Sequence, residues 1–430
     1  MLILPPWLSI TLSVIWLLLS IVSLVNALYA FRPARKGAGF IFGFFSSWLT
    51  MELAGHLIAL QVLGTMLAAV LGLIPTLIGG VATVVSVAAI GVLAKHLVDG
   101  GRARDIMAEA LGADLPQREA LPIPVTKLLQ PFNPRRKGVK VETDITFCRV
   151  AGRKLKLDVF EPASDDKQGP RRPAIIQIHG GAWIIGDKRE QALPLLNHLA
   201  ANGWVCFNVN YRLSPAATWP DHLIDVKKAI AWVREHADEY HIDPNFICVT
   251  GGSAGGHITA MVALTENDPQ YQAGFEDADT SVAAAVPIYG VYDLTDRLHI
   301  MGKFWRYKAV EPLIMKKFLD DEPEAFSAAS PIDLVHAEAP PMLVIHGTND
   351  VLAPLEYARI FVDGLRETSK AGVTYAEIRG AQHGFEIFAS PRCFHVVSGI
   401  ERYLTKRWED YLDGRLRVRE TQRNTSQDNA

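Results

Sequence analysis

Charge is what the N-terminal part of this chain lacks. No charged side chain occurs from Met1 to Phe31, and between Leu53 and Ala94 the one ionisable residue is His56. Runs of this length exceed the roughly 20 apolar residues that a bilayer-crossing helix needs, which excludes an ordinary soluble surface for this part. A basic segment before the first run is missing too, and more apolar runs follow it, so the pattern does not read as a cleaved signal peptide. An excess of basic charge is absent from the whole: the formal net charge is −3 over 430 residues. That excludes the electrostatic footprint of a nucleic-acid binder. Cysteine is scarce, with four residues (Cys148, Cys206, Cys248 and Cys393) scattered without metal-ligand spacing. No disulfide framework or metal site follows from them, and Cys206 and Cys248, set in apolar runs, are expected to be buried reduced thiols.

The apolar runs imply a helical membrane region over residues 1–100, in contact with membrane lipids. One span is expected over 7–29, and two more over 53–94, broken near Pro75 and the Gly79-Gly80 pair. Glu52 and His56 open the second region, where they are either a functional intramembrane pair or interfacial residues. Arg32, Arg35 and Lys36 follow the first span, and Lys95, Arg102 and Arg104 follow the last. Three spans place both clusters on the cytoplasmic side, and the rest of the chain with them.

Residues 101–138 mix a short helical pattern with prolines and read as a linker that can pack on the following domain. From 139 onward, strand and helix patterns alternate. "TDITFCRV" and "KLKLDVFEP" alternate apolar and polar positions, as half-buried antiparallel strands do. "AIIQIHGG", "WVCFNVNY", "FICVTGG", "VAAAVPIYG" and "PMLVIHG" are short continuous apolar runs suited to central strands, and "VTYAEIRG" is a more polar last strand. Helical patterns lie over 191–202, 221–240, 256–264, 355–371 and 394–412. The expectation is an α/β fold with a mostly parallel sheet of about eight strands over 139–412. The polar segment 413–430 reads as a disordered tail.

Chemistry gathers at the ends of these strands. Gly251-Gly252-Ser253-Ala254-Gly255 lies between a strand and a helix and matches G-x-S-x-G in its required context. A phosphate loop would carry a lysine after the glycines, and a dinucleotide fingerprint would space them differently; neither fits. Asp350 follows the strand "PMLVI" in the loop "HGTND", and His383 follows "YAEIR" in "GAQHGF". The order Ser253, Asp350, His383 is that of the α/β-hydrolase triad. Neutral serine needs a base to take its proton, and the base needs a carboxylate to fix its tautomer. Asp293, at another strand end, is the rival acid; His257 and His346 are rival histidines. "HGGAW" (His179 to Trp183) ends a further strand, where glycine-rich backbone can offer N–H donors to an oxyanion, together with Ala254 after the serine. Residues 294–326 interrupt the sheet before the acid loop, as an amphipathic cap or an ordinary helix pair.

As a set, "HGGAW", "YRLSP" (Tyr211 to Pro215), "HIDPNFICVTGGSAGG" and the Asp350 and His383 loops resemble the hormone-sensitive-lipase-like carboxylesterases of the α/β-hydrolase superfamily. The similarity covers 139–412. It implies an oxyanion hole around Gly181, Ala182 and Ala254 with Gly180 adjacent, a nucleophile elbow of Gly251, Gly252 and Gly255, and hydrolysis of an ester without metal or organic cofactor. Ala182 stands where relatives commonly have a third glycine, and Gly252 where they commonly have Asp. "HGGAWIIGDK" with "GGSAGGH" is similar to membrane-anchored bacterial esterases, and also to isoprenylcysteine methylesterases and kynurenine formamidases. The implied partner is a small-molecule or lipid-like ester, with an amide substrate or a retired hydrolase fold as the alternatives.

Overall fold

In a computed structural model, residues 4–34, 39–112, 125–164 and 169–427 are described. Arg35 and Lys36, part of the linker and the last three tail residues lie outside them.

The chain begins with α1 (Pro6–Tyr29), α2 (Phe40–Glu52), α3 (Ala54–Val70), α4 (Leu77–Gly101) and α5 (Ala103–Leu111). Among the described residues, two helices are long and apolar enough to cross a membrane: α1, and the run Leu77–Leu111 that combines α4 and α5. The pair α2 and α3 meets the same composition test but is bent by 79°. The break expected near Pro75 falls between α3 and α4. The region expected to begin at Leu53 is preceded by a helix that the sequence reading did not assign.

Helices α1, α3 and α4 pack side by side with their chemistry inverted relative to a soluble bundle. Along α4, Gly79, Ala82, Ser86, Ala89, Leu93, His96 and Gly100 are buried, alternating in steps of three and four. Small residues on such a stripe let helix backbones approach closely. Gln61 Oε1 accepts from Ser86 Oγ at 2.7 Å and from Ser20 Oγ at 3.4 Å inside the bundle. Leu18, Leu19, Leu63, Met66, Val84 and Val87 point outward and are exposed.

Then come α6 (Val125–Leu128) and the eight strands β1 (Val139–Val150), β2 (Arg153–Pro162), β3 (Arg172–Ile178), β4 (Val205–Val209), β5 (Ile242–Gly252), β6 (Ala284–Ile288), β7 (Met342–Gly347) and β8 (Val373–Ile378). They form one sheet in the order β1-β2-β4-β3-β5-β6-β7-β8. β1 and β2 are antiparallel, β2 runs antiparallel to β4, and every later pairing is parallel. Ala151 and Gly152, both at positive φ, make the tight turn that joins β1 to β2.

The remaining helices are α7 (Leu193–Ala201), α8 (Asp221–Glu235), α9 (Ala254–Leu264), α10 (Lys303–Trp305), α11 (Pro323–Ser327), α12 (Leu355–Thr368) and α13 (Pro391–Gln427). Both sheet faces are covered, which is why the central strands are buried along nearly their whole length. Ile176, Val249 and Val344 enter the core on one face, and Ile175, Cys248 and Ile345 the core on the other. Cys206, Cys248 and Cys393 are buried free thiols. On the second face, Met107 of α5 packs on α13, where a Cβ at Gly399 would come within 2.4 Å of it. The expected linker thus begins with a helix built into the core on the second face of the sheet.

Two expectations change. The segment 413–427, expected to be disordered, continues α13 as helix. Gly414 is its single strong breaker, and Arg415 pairs with Asp243 at the start of β5. The interruption 294–326, expected as an amphipathic cap or a helix pair, is irregularly wound. It holds the short α10, a π-wound segment over Arg306–Met315 that contains Pro312, and α11. Proline cannot donate in a normal helical ladder, and the wider winding accommodates it. Val310, Ile314 and Met315 turn into the core, while Leu298, Tyr307 and Phe318 stay exposed.

Candidate active site

β5 ends in the glycines and α9 begins one residue after Ser253. Ser253 sits at φ 60°, ψ −122°, a conformation that L-residues rarely adopt. Its backbone is held by a hydrogen bond from Ser253 N to Ile288 O of β6, at 3.0 Å. Close packing explains the glycines on either side. A Cβ at Gly255 would lie 2.0 Å from Ile178 O, and one at Gly251 would lie 2.6 Å from the same oxygen. Gly252 has a different reason. A Cβ there would meet the Tyr289 hydroxyl at 2.6 Å, so Tyr289 occupies the space that a side chain before the serine would fill.

The "HGGAW" loop lies directly over the serine: a Cβ at Gly180 would come 3.0 Å from Ser253 Cβ. Gly181 at φ 114°, Ala182 at 52° and Trp183 at 60° fold the loop back tightly. "YRLSP" supports it, because Tyr211 Oη donates to His179 O at 2.9 Å and stacks on the His179 ring. Arg212 is pinned in turn to Asp225 by a two-pronged pair at 2.8 and 2.9 Å. Farther along, Lys188 bridges Asp144 and Asp158, each at 3.1 Å, fastening the end of the loop to β1 and β2.

The glycine-rich loop does not offer all its donors. Gly180 N donates to Gln191 Oε1 at 2.7 Å, so this N–H is committed to the scaffold and drops out of the expected oxyanion set. Sequence alone cannot see this, because Gln191 is 11 residues away in the chain. Gly181 N and Ala182 N find no acceptor among the loop hydrogen bonds of the described residues. Ala254 N opens α9, where the first N–H groups have no partner within the helix.

Asp350 and His383 meet. His383 Nδ1 lies 2.7 Å from Asp350 Oδ2, with the carboxylate fully buried. Leu352 N and Ala353 N donate to Asp350 Oδ1, both at 2.8 Å. Burial acts to raise the Asp350 pKa, but His383, His346 and these donors outweigh it and hold the carboxyl below its ordinary value. The His383 ring lies 4.5 Å from that of Tyr289, which in turn abuts Gly252 next to Ser253. Tyr289 therefore lies against both His383 and the turn that carries Ser253.

The rivals are otherwise engaged. Asp293 caps its own turn, accepting from Thr295 N and Arg297 N at 3.0 and 2.9 Å, and pairs with Arg297. His257 is buried, with Nε2 2.8 Å from Ala329 O between Trp183 and Trp219. Burial lowers its pKa to about 4, so it stays neutral. His346 is buried behind Asp350, with Nε2 3.0 Å from Ala353 O. No cluster suited to a metal ion occurs among the described residues.

Two participants escaped the sequence reading. Tyr289 was part of a strand, with nothing to mark it as packing under a serine. Glu386 is the other: it is buried near Tyr289, and its Oε2 has no donor among the described residues. Burial pushes its pKa up to about 7, against the opposing pull of Tyr289 and His383. A carboxyl raised in the folded state costs stability as pH rises from the unfolded value near 4.3 through 7. Glu386→Gln is therefore expected to match the parent near pH 4.5 and to exceed it by up to about 3 kcal/mol at pH 8. Thermal unfolding against pH checks this, and a difference that does not change with pH would refute it.

The strand order, the serine at the β5–α9 turn and the acid and histidine beyond β7 and β8 define an α/β-hydrolase domain. A family model described as BD-FAE matches residues 157–365. Among curated proteins, the probable carboxylic ester hydrolase LipM of Mycobacterium tuberculosis is 47% identical over 266 residues, 61% of this chain and 60% of LipM. Esterase LipQ of the same organism is 44% identical, covering 63% of each chain. This chain thus spans about three fifths of the length of these relatives. The isoprenylcysteine alpha-carbonyl methylesterase ICME of Arabidopsis thaliana is more distant, 27% identical over 49% of each chain. Of solved structures, a truncated form of a carbohydrate esterase from gut microbiota superposes with a TM-score of 0.55 at 25% identity, covering 64% of this chain and 98% of its own. By these likenesses the chain is similar to the hormone-sensitive-lipase-like esterases of the α/β-hydrolase superfamily.

Proposed function

We propose that this protein is a membrane-anchored serine carboxylesterase acting on esters of hydrophobic acids. The observation that carries the reading is Ser253, held at its strained φ beneath the "HGGAW" loop, with the His383–Asp350 pair reaching the same turn through Tyr289. His383 accepts the Ser253 proton as Oγ attacks the ester carbonyl, and Asp350 holds the imidazole in the tautomer that leaves Nε2 free. Negative charge on the carbonyl oxygen is met by the N–H groups of Gly181, Ala182 and Ala254. Collapse expels the alcohol with the proton from His383, leaving an acyl-serine. Water, deprotonated by the same histidine, then attacks this ester and releases the acid and Ser253. No step calls for a metal or organic cofactor.

The membrane reading rests on the inverted bundle, polar within and apolar without. Its basic residues lie at the end that meets the hydrolase domain, Arg32 after α1, Lys95 in the last turns of α4, and Arg102 and Arg104 after it, which favours the cytoplasmic side for that domain. A reporter fused to the C-terminus is expected to be active only in the cytoplasm.

The test is a substrate panel on the purified full-length chain: p-nitrophenyl esters of increasing acyl length beside an N-formyl arylamide. Turnover of the esters, rising beyond acetate, is expected. Turnover of the formyl amide alone would move the chain to the amidases, and inertness toward both would overturn the reading.

A further inference from the structure

Both loops that carry the proposed acid and base touch the membrane anchor. On the histidine side the contact is α2, the helix that sequence reading left unassigned. Trp48 Nε1 donates to Gly384 O, the residue after His383, at 2.9 Å. Gln382, the residue before it, donates through Nε2 to Ser47 Oγ at 3.0 Å. The same Gln382 accepts at Oε1 from Val351 N of the acid loop at 2.9 Å and from His383 N at 3.0 Å. One amide thereby ties the acid loop, the histidine backbone and α2 together. Phe44 sets its ring edge-on to His383, with centroids 6.4 Å apart, and Trp48 stacks on Phe388 at 4.6 Å. On the acid side, Asn349 Nδ2 donates to the carbonyls just past the end of α1, Ala30 O at 3.2 Å and Phe31 O at 3.3 Å. These are helix-end carbonyls that would otherwise need another partner.

The loop they hold has reason to need support. Gly384 sits at φ 75°, and a Cβ there would lie 3.3 Å from Ile387 and 3.5 Å from Trp48. His383 enters its loop from the edge strand β8, which has a paired neighbour on one side only. Trp48 and Phe44 of α2 lie against that loop. The anchor helices cover it.

We infer that α2 is a positioning element of the active site: Trp48 and Ser47, acting through Gly384 and Gln382, hold the His383 loop in register with Asp350, so that full turnover requires a docked anchor. The proposal rests on the esterase reading and adds to it a dependence that relatives of the hydrolase domain alone would not reveal. It also assigns a role to the bend between α2 and α3. The 79° turn lays α2 across the hydrolase domain while α3 returns into the bundle.

The test uses the full-length protein in lipid nanodiscs, with p-nitrophenyl acetate as a small soluble substrate and a fluorophosphonate probe for Ser253. Trp48→Phe keeps the ring and removes the N–H, and Ser47→Ala removes the hydroxyl. The double variant is expected to lose about tenfold in kcat with KM within about twofold of the parent, since small displacements of a catalytic group act on the chemical step. Probe labelling slows by the same factor, and Ser47→Thr, which keeps the hydroxyl, recovers its share. Thr65→Ala, half-buried in the bundle and hydrogen-bonded to Ser86 at 3.2 Å, controls for loosening of the anchor and is expected to keep parental kcat. Parental kcat in the double variant overturns the proposal, and so does an equal loss in Thr65→Ala. A parent protein that the probe does not label at Ser253 would instead remove the esterase reading on which the proposal stands.

Discussion

Replacing Ser253 with alanine is expected to lower ester turnover by a factor on the order of 10⁴–10⁶ and to abolish labelling by a fluorophosphonate. The loss is large because in the proposed mechanism the serine, His383 and Asp350 act as a unit, so removing one makes the others idle. It is not total, because the N–H groups of Gly181, Ala182 and Ala254 belong to the backbone and survive the change. Those donors alone sustain a residual rate well above water. The variant is also expected to fold. Alanine at this position keeps the strained φ of 60° and removes a single atom from a side chain that is not in the core. The measurement is kcat on a p-nitrophenyl ester beside a thermal unfolding curve. An alanine variant that hydrolyses at more than a hundredth of the parental rate would remove Ser253 from the mechanism. His383→Ala is expected to fall in the same range and the double variant no further, which distinguishes a shared unit from two independent contributions.

The second large effect concerns the clamp between anchor and hydrolase. Arg392, at the head of α13, pairs with Glu52 at the end of α2, and Ser390 Oγ donates to the same carboxylate at 2.6 Å. Both charged side chains are almost fully buried. Arg392→Met leaves the Glu52 carboxylate without its counter-ion in a closed environment. Breaking a buried pair from one side costs about 3–5 kcal/mol, whereas replacing both partners with neutral groups can be close to neutral. The single variant is therefore expected to unfold well below the parent in detergent, and Arg392→Met with Glu52→Gln to regain most of the loss. A double-variant cycle on unfolding free energy provides the check. Additive losses, with no recovery in the double variant, would show that the two residues do not form a coupled pair.

Much of the fold was legible because it depends on local pattern. The eight strands fall where the patterns put them: five continuous runs became strands buried on both faces, the two alternating runs became the antiparallel β1 and β2, and the more polar last run became β8. The break between α3 and α4 falls at Pro75 for the same reason, since proline and paired glycines act within a turn or two. Ser253, Asp350 and His383 were singled out by strand-end position and chain order. The structure brings Asp350 and His383 into hydrogen-bonding contact and places Ser253 on a strained turn between β5 and α9.

Other features depend on contacts between residues far apart in the chain. The helix Phe40–Glu52 is too short for a span and has no polar face to mark it as soluble; its role appears only where Trp48 meets Gly384, 336 residues away. Glu52, which sequence reading left between an intramembrane site and an interface, is the buried partner of Arg392. Gly180 carries an N–H that looks available until Gln191 folds back to take it. Gly252 departs from the residue common in relatives, and only the position of Tyr289 explains that departure. Hydrophobic period, glycine placement and strand-end chemistry are short-range properties, so the sequence by itself determined an α/β-hydrolase domain behind an apolar N-terminal region and nominated the residues of its site. Which N–H groups remain free, what fills the space beside the serine, and how the anchor bears on the histidine loop are decided by side chains that meet only when the sheet and the helices close on one another.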